Sequence, residues 1–199
     1  LPPTALDRVP LRDLRPVGRY PDGRQHVTLR VSRTGTKSLL AGLLVAASMP
    51  PWGWWPLTFL GIAGFHATSR NAESRRGAFG HGAVFCLGWL MPATAWMWFI
   101  SAPGWIVACI LFAVLHGLAE SLVWRSERHV VLQPLAHTLV EALRFSWPFG
   151  GVPLASLAIS QAQSPVISLT RVVGAIGVTW FVWQAATFLR ARKRTVVPM

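Results

Sequence analysis

Glu141 and Arg144 are the two charged side chains whose spacing best suits a specific role. They lie three residues apart, so one helical face would carry both, and they can pair as ions. The stretch that follows, FSWPFGGVP at 145–153, cannot be helical throughout because it holds two prolines and two glycines. One interpretation is a salt-bridged helix end followed by a rigid loop. The other is that this loop shapes the mouth of a substrate site.

Other groups that could do chemistry are isolated. His116 and Glu120 are four residues apart, but the sequence shows no third ligand, so no metal site and no cofactor is predicted. Cys86 and Cys109 have no Cys or His partner at metal-ligand spacing, which predicts small buried side chains. The sequence contains no glycine-rich phosphate loop, no Ser-His-Asp set and no HExxH motif. A complete catalytic site is therefore not predicted.

The elements that carry these residues are apolar helices. The chain is 52% hydrophobic and 13% charged, against about 25% charged in an ordinary soluble domain. Residues 38–69 hold no Asp, Glu, Lys or Arg, and residues 78–124 hold only Glu120. This pattern predicts an all-α integral membrane protein of about six transmembrane helices, of which the first two are short and form either a re-entrant hairpin or two short tilted spans. The predicted segments are 38–49, 54–69, 77–101, 104–124, 130–147 and 165–189.

Residues 1–37 differ in composition from the rest. They hold seven Arg, Lys37, three Asp and five Pro without an apolar period, which predicts a disordered tail. The predicted organisation is a cytoplasmic tail at 1–37, a transmembrane helical bundle at 38–194 and a C-terminal end at 195–199.

Basic residues predict the orientation. The tail and the connections near 70–76, 125–129 and 190–194 carry 17 of the 19 Lys and Arg residues, and the alternate connections carry none. Both termini are therefore expected in the cytoplasm, in a multi-pass arrangement. Clustering at segment ends favours topology and anionic-lipid contact over nucleic-acid binding. Seven of the eleven tryptophans fall near the bare side, as an interfacial belt would: Trp52, Trp54, Trp55, Trp96, Trp98, Trp105 and Trp147.

Two further charges lie within predicted spans and are expensive there. Glu120 is one turn from the inner end of the fourth segment, so we expect its side chain to reach the interface. Arg171 lies near the outer surface, where its long side chain can reach lipid headgroups.

The order of motifs resembles that of the apolipoprotein N-acyltransferases. MPPWGWWPL at 49–57 is similar to the first membrane hairpin of that family, and 80–98 is similar to its third span. EALR at 141–144, WPFGGVP at 147–153 and Ser160-Gln161 resemble the family's Glu-x-Leu-Arg…Gly-Phe-Pro-Trp…Ser-Gln signature in a form like that of actinobacterial members. Val152 and Leu154 stand where Phe and Trp are usual. Residues 165–183 continue the resemblance.

The resemblance implies an activity. Members of the family transfer an acyl chain from a phospholipid to the N-terminal amino group of lipoproteins at the outer face of the bacterial inner membrane. Their chemistry belongs to a nitrilase-like domain with a Glu-Lys-Cys triad, which no residue of this sequence inherits. The implied chain is a truncated membrane portion, inactive alone, with phospholipid as partner and either apolipoprotein or a separately encoded catalytic domain as a second one. Its candidate mouth residues are Trp96, Trp98, Glu141, Arg144, Trp147, Pro153 and Gln161.

A second hypothesis is a non-catalytic membrane anchor. In some actinobacteria a similar membrane region is fused to, or partners, a polyprenol-phosphate mannosyltransferase, and residues 190–194 would be the attachment side here. A small transporter is less well supported, because the sequence shows no internal repeat.

Overall fold

The structure, a computed structural model, describes residues 33–148, 151 and 153–195. Residues 1–32 of the predicted tail and the last four residues lie outside that range. Within it the chain forms α-helices and two 3₁₀ helices, at Ala95–Met97 and Pro165–Leu169, and no strand. The α-helices are α1 (Arg33–Ala47), α2 (Pro56–Ser69), α3 (Arg75–Ala93), α4 (Trp98–Val123), α5 (His129–Arg144), α6 (Leu157–Ser160) and α7 (Thr170–Thr195).

Six of these helices follow the predicted segments in order, and the four-residue α6 was not predicted. Helix α1 begins at Arg33, five residues before the first predicted segment. It is separated from α2 by a turn after which Pro56 occupies the first helical position, where its missing N–H costs nothing. Their 15 and 14 residues span about 22 and 21 Å, short of the roughly 30 Å of a bilayer core. The short first pair is as predicted.

The predicted end of the third segment was wrong, whereas the predicted break at residues 101–104 coincides with a kink. Helix α3 ends at Ala93 rather than at residue 101, since the backbone of Thr94 is not helical (φ −114°, ψ 16°), and the Thr94 hydroxyl donates to the carbonyl of Leu90 at 2.6 Å. Helix α4 then has a non-helical residue at Ser101, whose hydroxyl accepts from the amide of Gly104 at 3.2 Å. A local cap of this kind restarts the helix close to the predicted start at residue 104. The break at Thr94 was not predicted because the sequence stays apolar through it.

Within the described residues, two helical stretches are long and apolar enough to cross a bilayer. They are Ala95–Val123, of 29 residues, and Pro165–Ala191, of 27 residues, and an 18-residue window in each has a mean hydropathy of 2.2 and 1.6, respectively. The second is bent at Gly174, whose φ of 68° lies in the left-handed region that favours glycine.

The connections gather at two ends of the bundle according to their charge. At the basic end, Arg75 donates to the carbonyl of Ser121 at 3.1 Å, and Trp124 donates to that of Ala72 at 3.0 Å. At the other end, the turn at Gly53 contacts Gln163, and Trp105 donates to Thr94. Connections without Lys or Arg therefore contact one another at one end of the bundle, and basic connections contact one another at the other end.

Helices α1 and α3 touch backbone to backbone at Gly42. A Cβ added there would collide with the carbonyl oxygen of Phe85 and lie 2.9 Å from the amide nitrogen of Trp89. Close approach through small residues is a common way for membrane helices to associate. The contact fixes the position of α1 against α3.

The interior of the bundle holds polar and charged side chains beside apolar ones, and its exterior is apolar. His137 and Glu141 are completely buried, whereas Phe99 is 89% and Val172 84% exposed. Apolar buried side chains complete the centre, where Phe65 stacks on Phe85 with ring centroids 4.2 Å apart. This distribution suits a lipid surrounding, in which apolar side chains lose nothing by facing outward.

Candidate functional site

The Glu141–Arg144 ion pair is confirmed. The carboxylate lies 3.3 Å from the guanidinium, and both side chains are buried. Glu141 also accepts from the amide of Leu157 at 3.3 Å and from the hydroxyl of Thr179 at 2.8 Å. A buried carboxylate with a cation and two further donors is well compensated. The carboxylate therefore joins α5 to α6 and α7.

Arg144 extends this clamp in the other direction. Its Nη2 donates to the carbonyl of Leu154 at 2.5 Å. Its guanidinium also lies over the ring of Phe112, 4.6 Å from the centroid, and 5.8 Å from that of Trp89. Such cation–π contacts are worth most away from water. We call Glu141 and Arg144 the corner clamp, since they hold the end of α5 to the chain that follows it.

Gln161 is buried as well. Its Nε2 donates to the hydroxyl of Ser160 at 2.9 Å, and that hydroxyl lies 3.0 Å from the hydroxyl of Thr58 on α2. Its Oε1 has no hydrogen-bond partner. The Ser160 hydroxyl therefore links α6 to α2, and Gln161 donates to that hydroxyl from inside the protein.

An open apolar groove of about 450 Å³ lies beside the clamp. Trp147 and Pro148 form one wall and α4 with the turn before it forms the other; the residues on that side include Met97, Ile100, Gly104, Trp105, Val107 and Phe112. Trp98 packs edge-to-face on Trp105, with ring centroids 5.8 Å apart. Trp96 and Pro153 are exposed but do not line the groove. The predicted mouth residues therefore divide into a buried set and a surface set.

One layer of side chains separates the groove from the corner clamp. A small void, about 10 Å³, is lined by Arg144 and Leu154 on one side. Its other lining residues include Trp105, Ala108 and Phe112, which also face the groove. A guanidinium therefore stands directly behind the apolar wall.

Sequence reasoning missed a second polar cluster, and the expectation that Glu120 reaches the interface was wrong. Glu120 is completely buried and accepts from three nitrogen atoms of α5. These are His129 Nε2 at 3.2 Å, Gln133 Nε2 at 2.8 Å and His137 Nε2 at 3.0 Å. The spacing 129, 133, 137 places all three on one face of α5, which was the available signal. In the part of the chain that is described, no His, Cys, Asp and Glu group is arranged to hold a metal ion.

Cys86 and Cys109 are buried free thiols, as predicted. A nucleophilic thiol needs access to its substrate and a setting that favours the thiolate. Their burial among apolar side chains provides neither.

Helices with buried polar groups, an apolar exterior and two described stretches of spanning length are typical of a helical membrane protein. Residues 41–187 match the apolipoprotein N-acyltransferase N-terminal domain, so the chain belongs to that family. It is 36% identical over 90 residues to the apolipoprotein N-acyltransferase of Mycolicibacterium smegmatis, covering 42% of this chain and 15% of that protein. It is 27% identical over 157 residues to the apolipoprotein N-acyltransferase of Ralstonia nicotianae, covering 70% of this chain and 30% of that protein. The matched region thus spans less than a third of the length of either relative. The resemblance to the apolipoprotein N-acyltransferases that the sequence motifs indicated is confirmed.

Proposed function

We propose that this chain is the membrane-embedded part of an apolipoprotein N-acyltransferase. It binds the phospholipid acyl donor, while the groups that transfer the acyl chain to a lipoprotein lie outside these 199 residues. The observation that carries the proposal is the apolar groove beside Trp147, which has the size and lining of a site for an acyl chain. The corner clamp gives the groove a rigid wall.

A photoactivatable phospholipid tests the groove. We expect Val107→Trp, which fills the groove from α4, to lower crosslinking to the purified chain in nanodiscs about tenfold, a loss of about 1.4 kcal/mol of binding. Val107 is 64% exposed, so the larger ring does not disturb the interior. Leu122→Trp is the matched control, since Leu122 is 70% exposed on the same helix and lies outside the groove. Equal crosslinking of the two variants would refute lipid binding in the groove.

The same proposal includes six membrane crossings in the bacterial inner membrane with both termini in the cytoplasm. The alternation of basic and bare connections supports it, and so does their segregation to opposite ends of the bundle. We expect a membrane-impermeant maleimide to label Arg75→Cys and Arg128→Cys only from the cytoplasmic side, and Trp54→Cys only from the outside. The natural cysteines are buried and give little background. Labelling of positions 75 and 128 from opposite sides would overturn the topology.

Acyl transfer itself provides the third test. We expect the chain alone to form no acyl-thioester on Cys86 or Cys109 and to acylate no apolipoprotein peptide, because both thiols are buried. Mass spectrometry after incubation with phospholipid measures both products, and detection of either would contradict the proposal.

The anchor hypothesis is distinguished by the coding sequence downstream: a nitrilase-like frame favours the acyltransferase, and a glycosyltransferase frame favours the anchor.

A further inference from the structure

Five polar side chains meet on the basic-end side of the corner clamp. We call them the histidine cluster: His116, Glu120, His129, Gln133 and His137. Each is at most 4% exposed, and they come from α4 and α5. Neither the groove nor the corner clamp uses them, so their burial needs a separate explanation.

The burial of the Glu120 carboxylate is what needs an explanation. Its two oxygens accept from imidazole and amide nitrogens. A carboxylate buried at membrane depth is too costly to remain without a cation or a proton. An imidazole is more basic than a carboxylate by about two pH units, so a proton shared between them belongs to the imidazole.

His137 is the imidazole best placed to hold that proton. Its Nε2 lies 3.0 Å from Glu120 Oε2, and its Nδ1 lies 2.7 Å from Nδ1 of His116. A doubly protonated His137 therefore has an acceptor at each N–H. His129, by contrast, has a buried Nδ1 without a partner. The geometry distinguishes the two histidines that contact Glu120.

The ring of His137 also packs face to face against an indole ring. It stacks on Trp183 of α7 with a centroid distance of 4.5 Å and an interplanar angle of 9°. A cation over the face of an indole is attracted by the ring quadrupole, and most strongly away from water. The ring of His116 covers the ring of His137 at 5.1 Å and 18°.

We propose that the histidine cluster is a proton-binding site in which His137 is an imidazolium, held by Glu120, His116 and Trp183. The bound proton neutralises the buried carboxylate and joins α4, α5 and α7. The site goes beyond the proposed acyl-donor role and does not depend on it.

The charged and titratable groups around the site come from four helices. They are His66 on α2 and Arg70 directly after it, His81 on α3, His116 and Glu120 on α4, and His129 and Arg144 on α5. From α7 the site receives the ring of Trp183. Arg70 and Arg144 repel a proton, and Glu120 is the anion in hydrogen-bond contact with the imidazole. Glu120 is therefore the residue whose removal should release it.

The pH dependence of unfolding tests the site in the full chain in detergent. Above about pH 6.5, where histidine in an unfolded chain loses its proton, the folded chain holds one proton more. The unfolding equilibrium constant should then rise by up to tenfold per pH unit above that value. Glu120→Gln and His137→Gln should remove this dependence, and His129→Gln, the matched control, should retain it. A dependence unchanged in Glu120→Gln, or lost only in His129→Gln, would overturn the proposal.

Nitrogen NMR of the unmodified chain gives an answer that does not require a variant to fold. At pH 8 an ordinary histidine is neutral, since its pKa is about 6.5. With ¹⁵N-labelled histidine we expect one of the six imidazoles to retain protons on both nitrogens. Six neutral imidazoles at pH 8 would refute the site.

Discussion

Arg144→Leu is expected to destabilise the folded chain by about 3–5 kcal/mol, the cost of removing one partner from a buried ion pair. Leucine leaves Glu141 charged and buried without its cation and also removes the hydrogen bond to the Leu154 carbonyl. Unfolding of the purified protein in mixed micelles by increasing amounts of dodecyl sulfate, followed by circular dichroism, measures the change.

The double variant Glu141→Gln, Arg144→Leu separates the ion pair from simple packing. If the charges are coupled, the double variant should lose less than the two single variants together, by about 1–3 kcal/mol. Arg171→Leu is the matched control, because Arg171 is exposed and should change stability by no more than about 0.5 kcal/mol. Strict additivity of the two single effects would show that the clamp is not held by charge.

Gly42→Ala is expected to cost about 3 kcal/mol although it adds a single methyl group. The added Cβ meets the Phe85 carbonyl and the Trp89 amide, which belong to the backbone of α3 and cannot rotate away. Helix α1 must therefore move off α3. The same unfolding measurement reports the loss, and an increased rate of proteolysis in α1 should accompany it.

Gly35→Ala is the control for this substitution on the same helix. A Cβ at Gly35 meets nothing within 4 Å. Alanine should there raise stability by about 0.5–1 kcal/mol, through its better helix propensity. Similar effects at positions 42 and 35 would mean that α1 does not touch α3 in solution.

Helix order and the corner clamp could be predicted because both depend on local pattern. Long apolar runs punctuated by Pro50-Pro51 and by basic clusters indicated the helices, and spacing by three indicated the Glu141–Arg144 pair. The break at Thr94 was missed because the sequence stays apolar on both sides of it. Apolar runs in a sequence indicate whole segments better than they indicate a local break within one segment.

The histidine cluster could not be predicted because its contacts cross between helices. Glu120 and His137 are 17 residues apart, and their pairing depends on which faces of α4 and α5 meet. Gln161 was expected at a mouth because Ser160-Gln161 resembles a motif of the family, and it is buried against Ser160. The role of the exposed residues, Trp96, Trp98, Trp147 and Pro153, in admitting a substrate stays a prediction.

The polar interior and apolar exterior have a practical consequence for protein engineering. What specifies the helix arrangement, namely the corner clamp, the histidine cluster and the contact at Gly42, lies inside, while residues such as Phe99 and Val172 serve mainly to match the solvent. Replacing the outer apolar side chains with glutamate, lysine and glutamine should yield a water-soluble analogue that keeps the same internal hydrogen bonds. Such an analogue would allow the isolated bundle to be studied by methods with which detergent interferes.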